Sequence, residues 1–511
     1  MRRMYFLVNS TEMKQYDKNT IEHFGVSSPI LMERAALAIA DAVIKRFSAA
    51  DGKILVVCGA GNNGGDGFAA ARLLYQRGYE VEILLAMEQA RMTNETALQY
   101  QIVQMYKIPI VTGISFESYA VVIDALLGIG LSRAVEGNLA GLIETLNQIH
   151  AFKIAADISS GISADSGAVL GTAFRADLTV TFGFAKVGQL LYPGAEYTGE
   201  LLVSDIGIDS HSFLGKEPRG RYLKWDSLSP FLPRRTAYSH KGTYGKALII
   251  AGSKQMSGAA YFAAKAAYYS GCGLVRILTA EANREILSVK LPEALITAYR
   301  NEDEALLALK EYEPWADAVL IGPGLSTDGT AQSLVKQLLS HTKKKIVIDA
   351  DALNIVSGDM QLMKELKGEC IVTPHIKEMS RLVKKSVQEI SADLVYTALS
   401  FAKEYQVVCV LKDARTVIGM PDGGFTMNLT GNHGMATGGS GDVLAGFLTG
   451  FLAQNMPCSC AAAAVFLHGA AGDLAAEEKG AYGMTASDIL EKLPFSFLAV
   501  SEHNKVGGVK G

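Results

Sequence analysis

The sequence has little of what marks secreted, zinc-binding or nucleic-acid-binding proteins. Only six of its 511 residues are cysteines, and they lack the paired spacing of zinc ligands; they lie at Cys58, Cys272, Cys370, Cys409, Cys458 and Cys460. We interpret them as buried free thiols in a reducing cytoplasm. The formal net charge is −4 and lysine and arginine are scattered. We therefore expect no nucleic-acid partner.

A signal-peptide core and an unbroken membrane-spanning run are also missing. The first residues contain two arginines, but polar residues follow too soon for a secretory leader. Between Asp442 and Asp473 no formally charged side chain occurs, yet Gln454, Asn455 and Pro457 interrupt this apolar stretch. We predict two buried helices broken near 455–457, no membrane partner and a cytoplasmic location.

The length and texture of the chain predict two α/β domains. No low-complexity filler reduces the 511 residues, which suffice for two ordinary cores. Ser210–Lys246 is rich in proline, arginine and polar residues without sustained periodicity, so it predicts a linker. We place a Rossmann-like three-layer domain at 1–218 and a second α/β domain at 222–501.

The first domain begins with a predicted helical region at Ser10–Ser48. Lys53–Cys58 and Val81–Leu85 are short apolar runs typical of buried parallel strands, and Phe68–Arg77 between them predicts a helix. The connecting loop, 59–67, is GAGNNGGDG. These segments together predict a βαβ unit.

The glycines of this loop match the spacing of a dinucleotide-binding fingerprint, which would suit a dehydrogenase. A lone match of this kind is weak. Asn62, Asn63 and Asp66 add side-chain oxygens that a plain pyrophosphate loop does not need. They could hold a monovalent cation or a polar substrate, or they could only tolerate a tight turn.

Two later strand ends carry further polar residues. Val121–Leu127 and Lys153–Ser160 are predicted strands; Asp124 lies in the first, and Asp157 and Ser160 end the second. Open α/β sheets bind ligands at the carboxyl ends of their strands. Acidic residues that follow apolar runs are costly unless they are solvated, paired or used. Asp157 could also simply cap the next turn.

The segments NNGGDG, DALLGIGL and DISSGI together resemble the NAD(P)H-hydrate epimerase domain, over roughly the first two fifths of the chain. The resemblance implies that Asp157 is the acid/base and that Asn63, Asp124 and Ser160 bind potassium. It also implies a set of contacts to the hydrated nicotinamide nucleotide: Asn62, Asn63, Gly64, Gly65, Asp66, Gly128, Ile129, Gly130, Leu131, Ser132, Arg133, Ala134 and Asp157.

The second domain repeats the pattern of strands that end in polar or glycine-bearing turns. A helix is predicted at Gly258–Ser270, and strands are predicted at Ala247–Ala251, Ala318–Ile321, Lys345–Ile348, Cys370–Thr373 and Val407–Leu411. Such repetition indicates one cleft that is built from many loops.

The run Asn428–Asp442, NLTGNHGMATGGSGD, is the most informative stretch of this domain. Its glycines leave backbone N–H groups accessible, and Val443–Ala453 predicts a helix that follows directly. A glycine-rich loop before a helix N-terminus forms an anion site, and phosphate is the expected ligand. Asp442 could act on a hydroxyl beside that phosphate, or it could only cap the helix.

The motif GMATGGSGDVL resembles the anion-hole and base motif of ribokinase-like proteins, and closely that of NAD(P)H-hydrate dehydratases. The order of the other turns agrees over most of residues 240–500. Asp442 would then be catalytic. The resemblance implies substrate contacts at Ala259, Gly324, His375 and Asp442, and contacts to the adenine nucleotide at Lys412, Asp413, Ala414, Arg415, Thr416 and Gly441. One departure is Lys377, where many relatives have glycine, and it weakens the role of His375. His375 could instead be a hydrogen-bonding surface residue.

Together the two resemblances imply repair of hydrated nicotinamide coenzymes, NAD(P)HX. One domain would interconvert the R and S epimers, and the other would dehydrate the S form with ADP, or alternatively ATP, as co-substrate and with magnesium accompanying the nucleotide. We expect a homo-oligomer. The alternatives are a ribokinase-type small-molecule kinase fused to a nucleotide-binding domain, and a nucleotide-responsive binding module without catalysis.

Overall fold

The computed structural model describes residues 4–114 and 119–507, and the chain divides into two compact units. The N-terminal unit is Phe6–Gly220, and the C-terminal unit is Arg221–Gly511 with Met1–Tyr5. Both units are α/β with largely parallel sheets, which confirms the predicted fold class. The division between Gly220 and Arg221 lies within the predicted linker.

The N-terminal unit alternates strands and helices along most of its length. Its strands are β1 (Tyr5–Val8), β2 (Lys53–Cys58), β3 (Val81–Leu85), β4 (Ile110–Val111), β5 (Tyr119–Ala125), β6 (Phe152–Ala156), β7 (Leu178–Phe182), β8 (Ala185–Lys186) and β9 (Glu200–Ser204). Its helices are α1 (Ser10–Glu22), α2 (Ser28–Ile44), α3 (Asn62–Gln76), α4 (Asn94–Met105), α5 (Gly137–Gln148), α6 (Val187–Leu190) and α7 (Gly194–Thr198).

Seven of these strands form one sheet in the order β4-β3-β2-β5-β6-β7-β9, and every neighbouring pair is parallel. The central strands β2, β5, β6 and β7 are largely buried, as expected for a sheet that is covered on both faces, whereas the edge strands β4 and β9 are partly exposed. The strand order reverses between β2 and β5. Their carboxyl ends therefore flank the crevice in which sheets of this kind bind ligands.

One prediction for this unit is confirmed and another needs correction. The helical region predicted over Ser10–Ser48 is present as two helices, α1 and α2, separated by a turn. The helix predicted from Phe68 begins six positions earlier, at Asn62, so that most of the presumed loop forms the first turns of α3. The reason is close packing: a Cβ on Gly64 would lie 1.9 Å from the carbonyl oxygen of Gly59. Only glycine lets this helix start directly against the strand end.

The C-terminal unit has a second series. Its strands are β10 (Gly220–Tyr222), β11 (Lys246–Ile250), β12 (Leu274–Ala280), β13 (Leu295–Tyr299), β14 (Ala318–Ile321), β15 (Lys345–Ile348), β16 (Cys370–Val372), β17 (Val408–Leu411), β18 (Val417–Gly419) and β19 (Phe425–Met427). Its helices are α8 (Ser257–Tyr269), α9 (Arg284–Lys290), α10 (Glu302–Tyr312), α11 (Gly329–His341), α12 (Ala350–Gly358), α13 (Gln361–Glu365), α14 (Ile376–Val383), α15 (Val387–Ala392), α16 (Leu394–Tyr405), α17 (Ser440–Ala453), α18 (Ala461–Lys479) and α19 (Ala486–Gly507).

The order β13-β12-β11-β14-β15-β16-β17 is parallel throughout, and β18 and β19 extend it as antiparallel strands. Helices α17 and α8 approach each other so closely that a Cβ on Gly446 would lie 2.0 Å from the carbonyl oxygen of Ala263. Helix α17 packs against β11, β14 and β15, and the charged residues that follow β15 and β17, Asp349 and Lys412, act on Asp442 in its first turn.

The break predicted near 455–457 is confirmed, because α17 ends at Ala453 and α18 begins at Ala461. The helical stretch Cys458–Lys479 is long and apolar enough to cross a membrane by length and composition, but 83% of its most apolar window is buried inside the protein. A core helix passes the same test. All six cysteines are buried and free.

Candidate active sites

A cavity of about 530 Å³ lies at the carboxyl ends of the N-terminal strands. Residues predicted from the sequence form much of its lining, namely Asn62, Asn63, Asp66, Gly128, Ile129, Gly130, Leu131, Ser132, Arg133 and Asp157. They come from the start of α3, the segment after β5 and the end of β6. The structure therefore brings together three segments that are far apart in the sequence, at the crevice where the strand order reverses.

Asp157 is held firmly at one side of this cavity. It follows β6 with a positive φ of 61°, an uncommon conformation for a residue other than glycine. Its Oδ1 accepts hydrogen bonds from Lys186 Nζ at 2.5 Å, Thr181 Oγ1 at 3.1 Å and the Phe182 amide at 3.2 Å. Lys186 is completely buried. The Asp157 carboxylate is therefore paired with the Lys186 ammonium group at the edge of the cavity. All three donors contact Oδ1, and none of them contacts Oδ2.

Lys186 was missed by the sequence interpretation, and so were Lys14 and Asp17 of α1, which also line the cavity. The sequence signal for Lys186 is a lysine within an apolar segment, FGFAKVG, where burial requires a partner. For α1 the signal is weaker, because an amphipathic N-terminal helix looks like a surface element. Only the fold shows that one of its faces reaches the cavity.

Asn63 lines the cavity, and so does Leu127, whose amide donates to the Ser160 hydroxyl at 2.9 Å; Ser160 in turn is hydrogen-bonded to Asp124. Asp124 is fully buried and accepts hydrogen bonds from the Ser160 amide at 2.8 Å and from the Ser160 hydroxyl at 2.7 Å. Burial raises the pKa of Asp124 to about 6 although the bonds from Ser160 oppose that shift. The buried carboxamide of Asn63 has no hydrogen-bond partner on either its oxygen or its nitrogen. A buried amide without partners is costly unless a ligand satisfies it.

The remaining predicted contacts of this unit, Gly64, Gly65 and Ala134, lie outside the cavity lining. Gly64 is placed against Gly59, and a Cβ on Gly65 would lie 2.5 Å from Cε of Met32. Both glycines therefore serve the close packing of α3. Their predicted contact with substrate stays a prediction, as does that of Ala134.

Asp442 is the centre of the second candidate site. It lies in the first turn of α17, whose N-cap is Gly439 with φ of 95°, and no side chain caps this helix. The alternative that Asp442 serves as a cap is therefore wrong. Burial, reinforced by Asp349, raises the pKa of Asp442 to about 7, while Lys412 opposes the shift. A carboxyl group with such a pKa can exchange protons near neutral pH.

Lys412 joins this helix to the neighbouring strand ends. Its Nζ lies 2.9 Å from Oδ1 of Asp349, an oxygen that also accepts a hydrogen bond from the Thr373 hydroxyl at 2.7 Å. A Cβ on Gly441 would lie 3.3 Å from the same Nζ. Burial alone would lower the pKa of Lys412, but the carboxylates of Asp349 and Glu378 outweigh it and raise that pKa. A charged amine thus stands beside the first turn of α17, where a helix N-terminus presents N–H groups that have no partner within the helix.

His375 has the structural role that the sequence left open. It is the N-cap of α14, where its Nδ1 accepts a hydrogen bond from the Glu378 amide at 3.2 Å and its own amide donates to the Glu378 carboxylate at 2.8 Å. Half of its side chain remains exposed. Burial and the nearby Lys412 lower the pKa of His375. Lys377 lies within α14 without disturbing this cap. Contact of His375 with substrate stays a prediction.

The other predicted residues of the C-terminal unit are positioned by backbone geometry. Gly324 has φ of 56°, and a Cβ there would lie 2.8 Å from Cβ of Ala259. These two residues therefore face each other across the turns after β14 and β11. Lys412–Thr416 link β17 to β18, and the Arg415 guanidinium donates to the Leu429 carbonyl at 3.1 Å. Asp413 and Ala414 are exposed, as nucleotide contacts at a rim would be.

Three further side chains near Asp442 were not predicted as functional. Asp349 is the N-cap residue of α12, directly after β15, and Asp351 lies in the first turn of that helix. Asp351 accepts a hydrogen bond from the Ser326 amide at 2.8 Å. His468 of α18 lies 3.1 Å from the Ser440 carbonyl, and burial lowers the pKa of His468 to about 4. His468 is therefore a neutral imidazole that contacts the start of α17.

Among the residues that the structure describes, no group of three or more His, Cys, Asp or Glu side chains is arranged to hold a metal ion. Asn63, Asp124 and Ser160 offer oxygens of another kind, namely a carboxamide, a single carboxylate and a hydroxyl.

Comparisons with known proteins assign both units. A family described as NAD(P)H-hydrate dehydratase matches residues 247–495, and one described as YjeF-related protein N-terminus matches residues 28–188. The bifunctional NAD(P)H-hydrate repair enzyme of Moorella thermoacetica is 38% identical over 96% of each chain. That of Escherichia coli is 35% identical over 86% of this chain and 84% of its own. A solved ribokinase-like superfamily protein from Enterococcus faecalis is 32% identical, covers 55% of this chain and 96% of its own, and gives a TM-score of 0.50.

Proposed function

The chain belongs to the family of bifunctional NAD(P)H-hydrate repair enzymes, and we propose that its N-terminal cavity is the epimerase centre and the start of α17 the dehydratase centre. The protein repairs hydrated nicotinamide coenzymes: it interconverts the R and S epimers of NAD(P)HX and dehydrates the S form to NAD(P)H. The observation that carries the assignment of the centres is the placement of two carboxyl groups: Asp157 directly follows β6 and lines the cavity, and Asp442 lies in the first turn of α17 beside Lys412 and Asp349.

Epimerisation inverts a ring carbon that bears a hydroxyl and is bonded to the ring nitrogen. The carbon–oxygen bond opens when the hydroxyl is protonated and leaves as water, and the nitrogen lone pair stabilises the resulting cation. Water then re-adds from the other face and loses a proton. We assign proton transfer in this step to Asp157, because its carboxylate faces the cavity and is fixed by Lys186, Thr181 and Phe182.

Potassium is the ion that the N-terminal site would hold, and the residues present are compatible with it. Asn63 has a buried carboxamide oxygen without a partner, and Asp124 supplies a buried negative charge beside the Ser160 hydroxyl. Oxygen donors of these types suit a hard monovalent cation. When bound, potassium would supply positive charge near the nucleotide and would order the segment that contains Asn63. The ion takes no part in the proton transfers.

In the dehydratase centre the difficulty is that hydroxide is a poor leaving group. Transfer of the terminal phosphate of ADP to the substrate hydroxyl yields AMP and a phosphate ester. The carbon–oxygen bond of the ester then breaks and releases inorganic phosphate, while the neighbouring ring carbon gives a proton to solvent and the electron pair of its carbon–hydrogen bond forms the ring double bond. Asp442 would take the hydroxyl proton, since its pKa of about 7 makes it a base near neutrality. The N–H groups of Gly438–Gly441 and the Lys412 amine would hold the developing negative charge.

The nucleotide would lie along Lys412–Thr416 and Gly441, with its phosphates at the N-terminus of α17. Magnesium would accompany those phosphates, and the carboxylates of Asp351 and Glu378 are oxygen donors of the class that it prefers. ADP is the proposed donor and ATP the alternative. Substrate contacts of Ala259, Gly324 and His375 belong to the same proposal: His375 lies near Lys412, and Gly324 packs against Ala259 at the start of α8.

The test uses each epimer separately. The S epimer of NADHX with ADP should give NADH directly, and the R epimer should give NADH only through prior epimerisation; both are followed by the absorbance of the dihydronicotinamide. Asp157→Asn should abolish recovery from R but not from S, and Asp442→Asn should abolish both. No NADH from S with either ADP or ATP would reject the proposal. Accumulation of a stable phosphorylated alcohol would instead favour the small-molecule kinase.

The cytoplasmic location, the homo-oligomeric state and the lack of nucleic-acid and membrane partners remain predictions from the sequence. Light scattering after size-exclusion chromatography measures the oligomeric state, and a monomer at working concentration would contradict that expectation.

A further inference from the structure

The N-terminal cavity contains more ionisable groups than one acid/base residue needs. Asp17, Asp66, Asp157 and Lys186 all line it. Lys186 is the partner of Asp157, at 2.5 Å. No hydrogen bond or ion pair engages the side chains of Asp17 or Asp66 within residues 4–114 and 119–507. Carboxyl groups without partners inside a cavity are costly, and functional sites are where such costs persist.

Asp66 is the more deeply placed of these two residues. Burial, together with the negative charges of Asp157 and Asp17, raises the pKa of Asp66 well above its ordinary value, and Lys186 opposes this only in part. Asp66 therefore carries its proton where a surface aspartate would not. Asp157, in contrast, is paired with a buried cation. Two carboxyl groups in such different surroundings are suited to the roles of proton donor and proton acceptor.

Asp66 and Asp157 follow strands that are not adjacent in the sheet, so that a substrate ring could lie between their side chains. Asp66 lies in the second turn of α3, directly after β2, and Asp157 follows β6; β5 lies between these strands. Two strand spacings amount to about 10 Å between the backbones. Side chains that converge across such a gap leave room for a six-membered ring and a water molecule. Inverting glycosidases, which act through an oxocarbenium-like transition state, place two carboxyl groups about 6.5–9.5 Å apart on opposite faces of the sugar ring.

On the basis of the proposed epimerase function, we infer that Asp66 is a second catalytic residue, which acts on the face of the ring opposite to Asp157. In one direction the Asp66 carboxylic acid gives its proton to the ring hydroxyl. The carbon–oxygen bond breaks, its electron pair leaves with water, and the nitrogen lone pair forms the carbon–nitrogen double bond. A water molecule on the other face then attacks the carbon and gives a proton to the Asp157 carboxylate. The other epimer reacts in reverse, with the two roles exchanged.

The charged residues around Asp66 determine the pKa of its carboxyl group, and therefore the pH range in which it can donate a proton. Asp17 and Lys14 face the cavity from α1, Arg133 faces it from the segment after β5, and Asp157 and Lys186 face it from beyond β6. Asp17 adds negative charge beside Asp66 and so favours the protonated form. Met13, Lys14 and Asp17 precede residues 28–188, which the N-terminal family matches. An element outside the matched region therefore tunes the centre.

The first experiment compares Asp66→Asn with the wild-type full-length protein. Asparagine keeps the shape and removes the proton, so kcat for R-to-S conversion should fall by about 10² to 10⁴, as for loss of a general acid, with KM nearly unchanged. Dehydration of purified S epimer by the same protein should keep its wild-type rate. The exposed Asp41 of α2 provides the matched control, and Asp41→Asn should leave epimerisation unaffected.

Circular dichroism melting checks the fold of Asp66→Asn, which should be no less stable because it removes an unpartnered carboxylate. A kcat within tenfold of wild type, or a raised KM with unchanged kcat, would overturn the catalytic role. Absence of epimerisation in the wild-type protein would reject the underlying function instead, so the two failures are distinguishable.

A second variant tests the electrostatic argument without removing Asp66. Asp17→Asn removes negative charge beside Asp66, so Asp66 should lose its proton at lower pH. The alkaline decline of kcat for R-to-S conversion should therefore move to lower pH, while the rate at acid pH is retained. An unchanged alkaline limb in Asp17→Asn would contradict the assignment of that limb to Asp66.

Discussion

Replacement of Asp442 by asparagine should inactivate the dehydratase and at the same time stabilise the C-terminal unit. As a general base Asp442 should contribute about 10² to 10⁴ in rate, which corresponds to about 3–5 kcal/mol of transition-state stabilisation. Because it acts in its ionised form, kcat/KM of the wild-type dehydratase should rise with pH through about 7, the pKa to which burial and Asp349 raise this group.

The stability effect follows from the same pKa. A carboxyl whose pKa is raised in the folded state binds its proton more tightly there than in the unfolded chain, whose value is close to 3.8. Ionisation of Asp442 therefore leaves the free energy of unfolding unchanged below about pH 4, lowers it progressively between about pH 4 and 7, and lowers it by the full amount above about pH 7. The difference between a pKa of 3.8 in the unfolded chain and one of about 7 in the folded protein corresponds to roughly 4 kcal/mol. This figure is an upper bound, because Asp442 is partly accessible to water. Asparagine removes this cost.

Tryptophan fluorescence provides a selective assay, because both tryptophans, Trp225 and Trp315, lie in the C-terminal unit. The midpoint of thermal unfolding of Asp442→Asn should exceed that of wild type by several degrees at pH 8, and the difference should vanish near pH 4. Epimerisation should be unchanged. A lower midpoint at pH 8, or a dehydration rate reduced less than tenfold, would refute the idea that a destabilising buried carboxyl group is retained at this position for catalysis.

Three further outcomes are expected. Lys186→Met should leave Asp157 buried without its cation, lower epimerase kcat at least 100-fold and spare dehydration of the S epimer; retained epimerisation would contradict the role of this pair. Gly441→Ala would place a Cβ 3.3 Å from Lys412 Nζ and should raise KM for ADP with little change in the melting temperature. Gly446→Ala would place a Cβ 2.0 Å from a backbone oxygen and should destabilise the C-terminal unit by about 3 kcal/mol or more. Equal effects of the two variants on ADP binding would refute the distinction between a binding position and a packing position. Exchange of potassium for a bulky organic cation should reduce epimerisation and leave dehydration of the S epimer unchanged, which parallel rate measurements in the two buffers would test.

The strands were largely predictable because buried parallel strands are continuous apolar runs with sharp polar ends. Lys53–Cys58, Val81–Leu85, Ala318–Ile321 and Lys345–Ile348 have the bounds expected from the sequence. The start of α3 was not predictable, since a glycine-rich segment resembles a loop until the neighbouring strand end is known. Gly64 is required there by a backbone oxygen of Gly59, and no local pattern reveals such a contact.

The sequence by itself determined the two α/β units, their polar strand ends, and the carboxylates Asp157 and Asp442, because apolar periodicity and glycine-rich turns are local properties of the chain. Only the tertiary structure decided which charges surround those carboxylates. Lys186 beside Asp157, Asp17 facing Asp66, and Asp349 between Lys412 and Thr373 come from segments that are distant in the sequence. Proton affinity depends on burial and on charges within a few ångströms, and folding alone sets both.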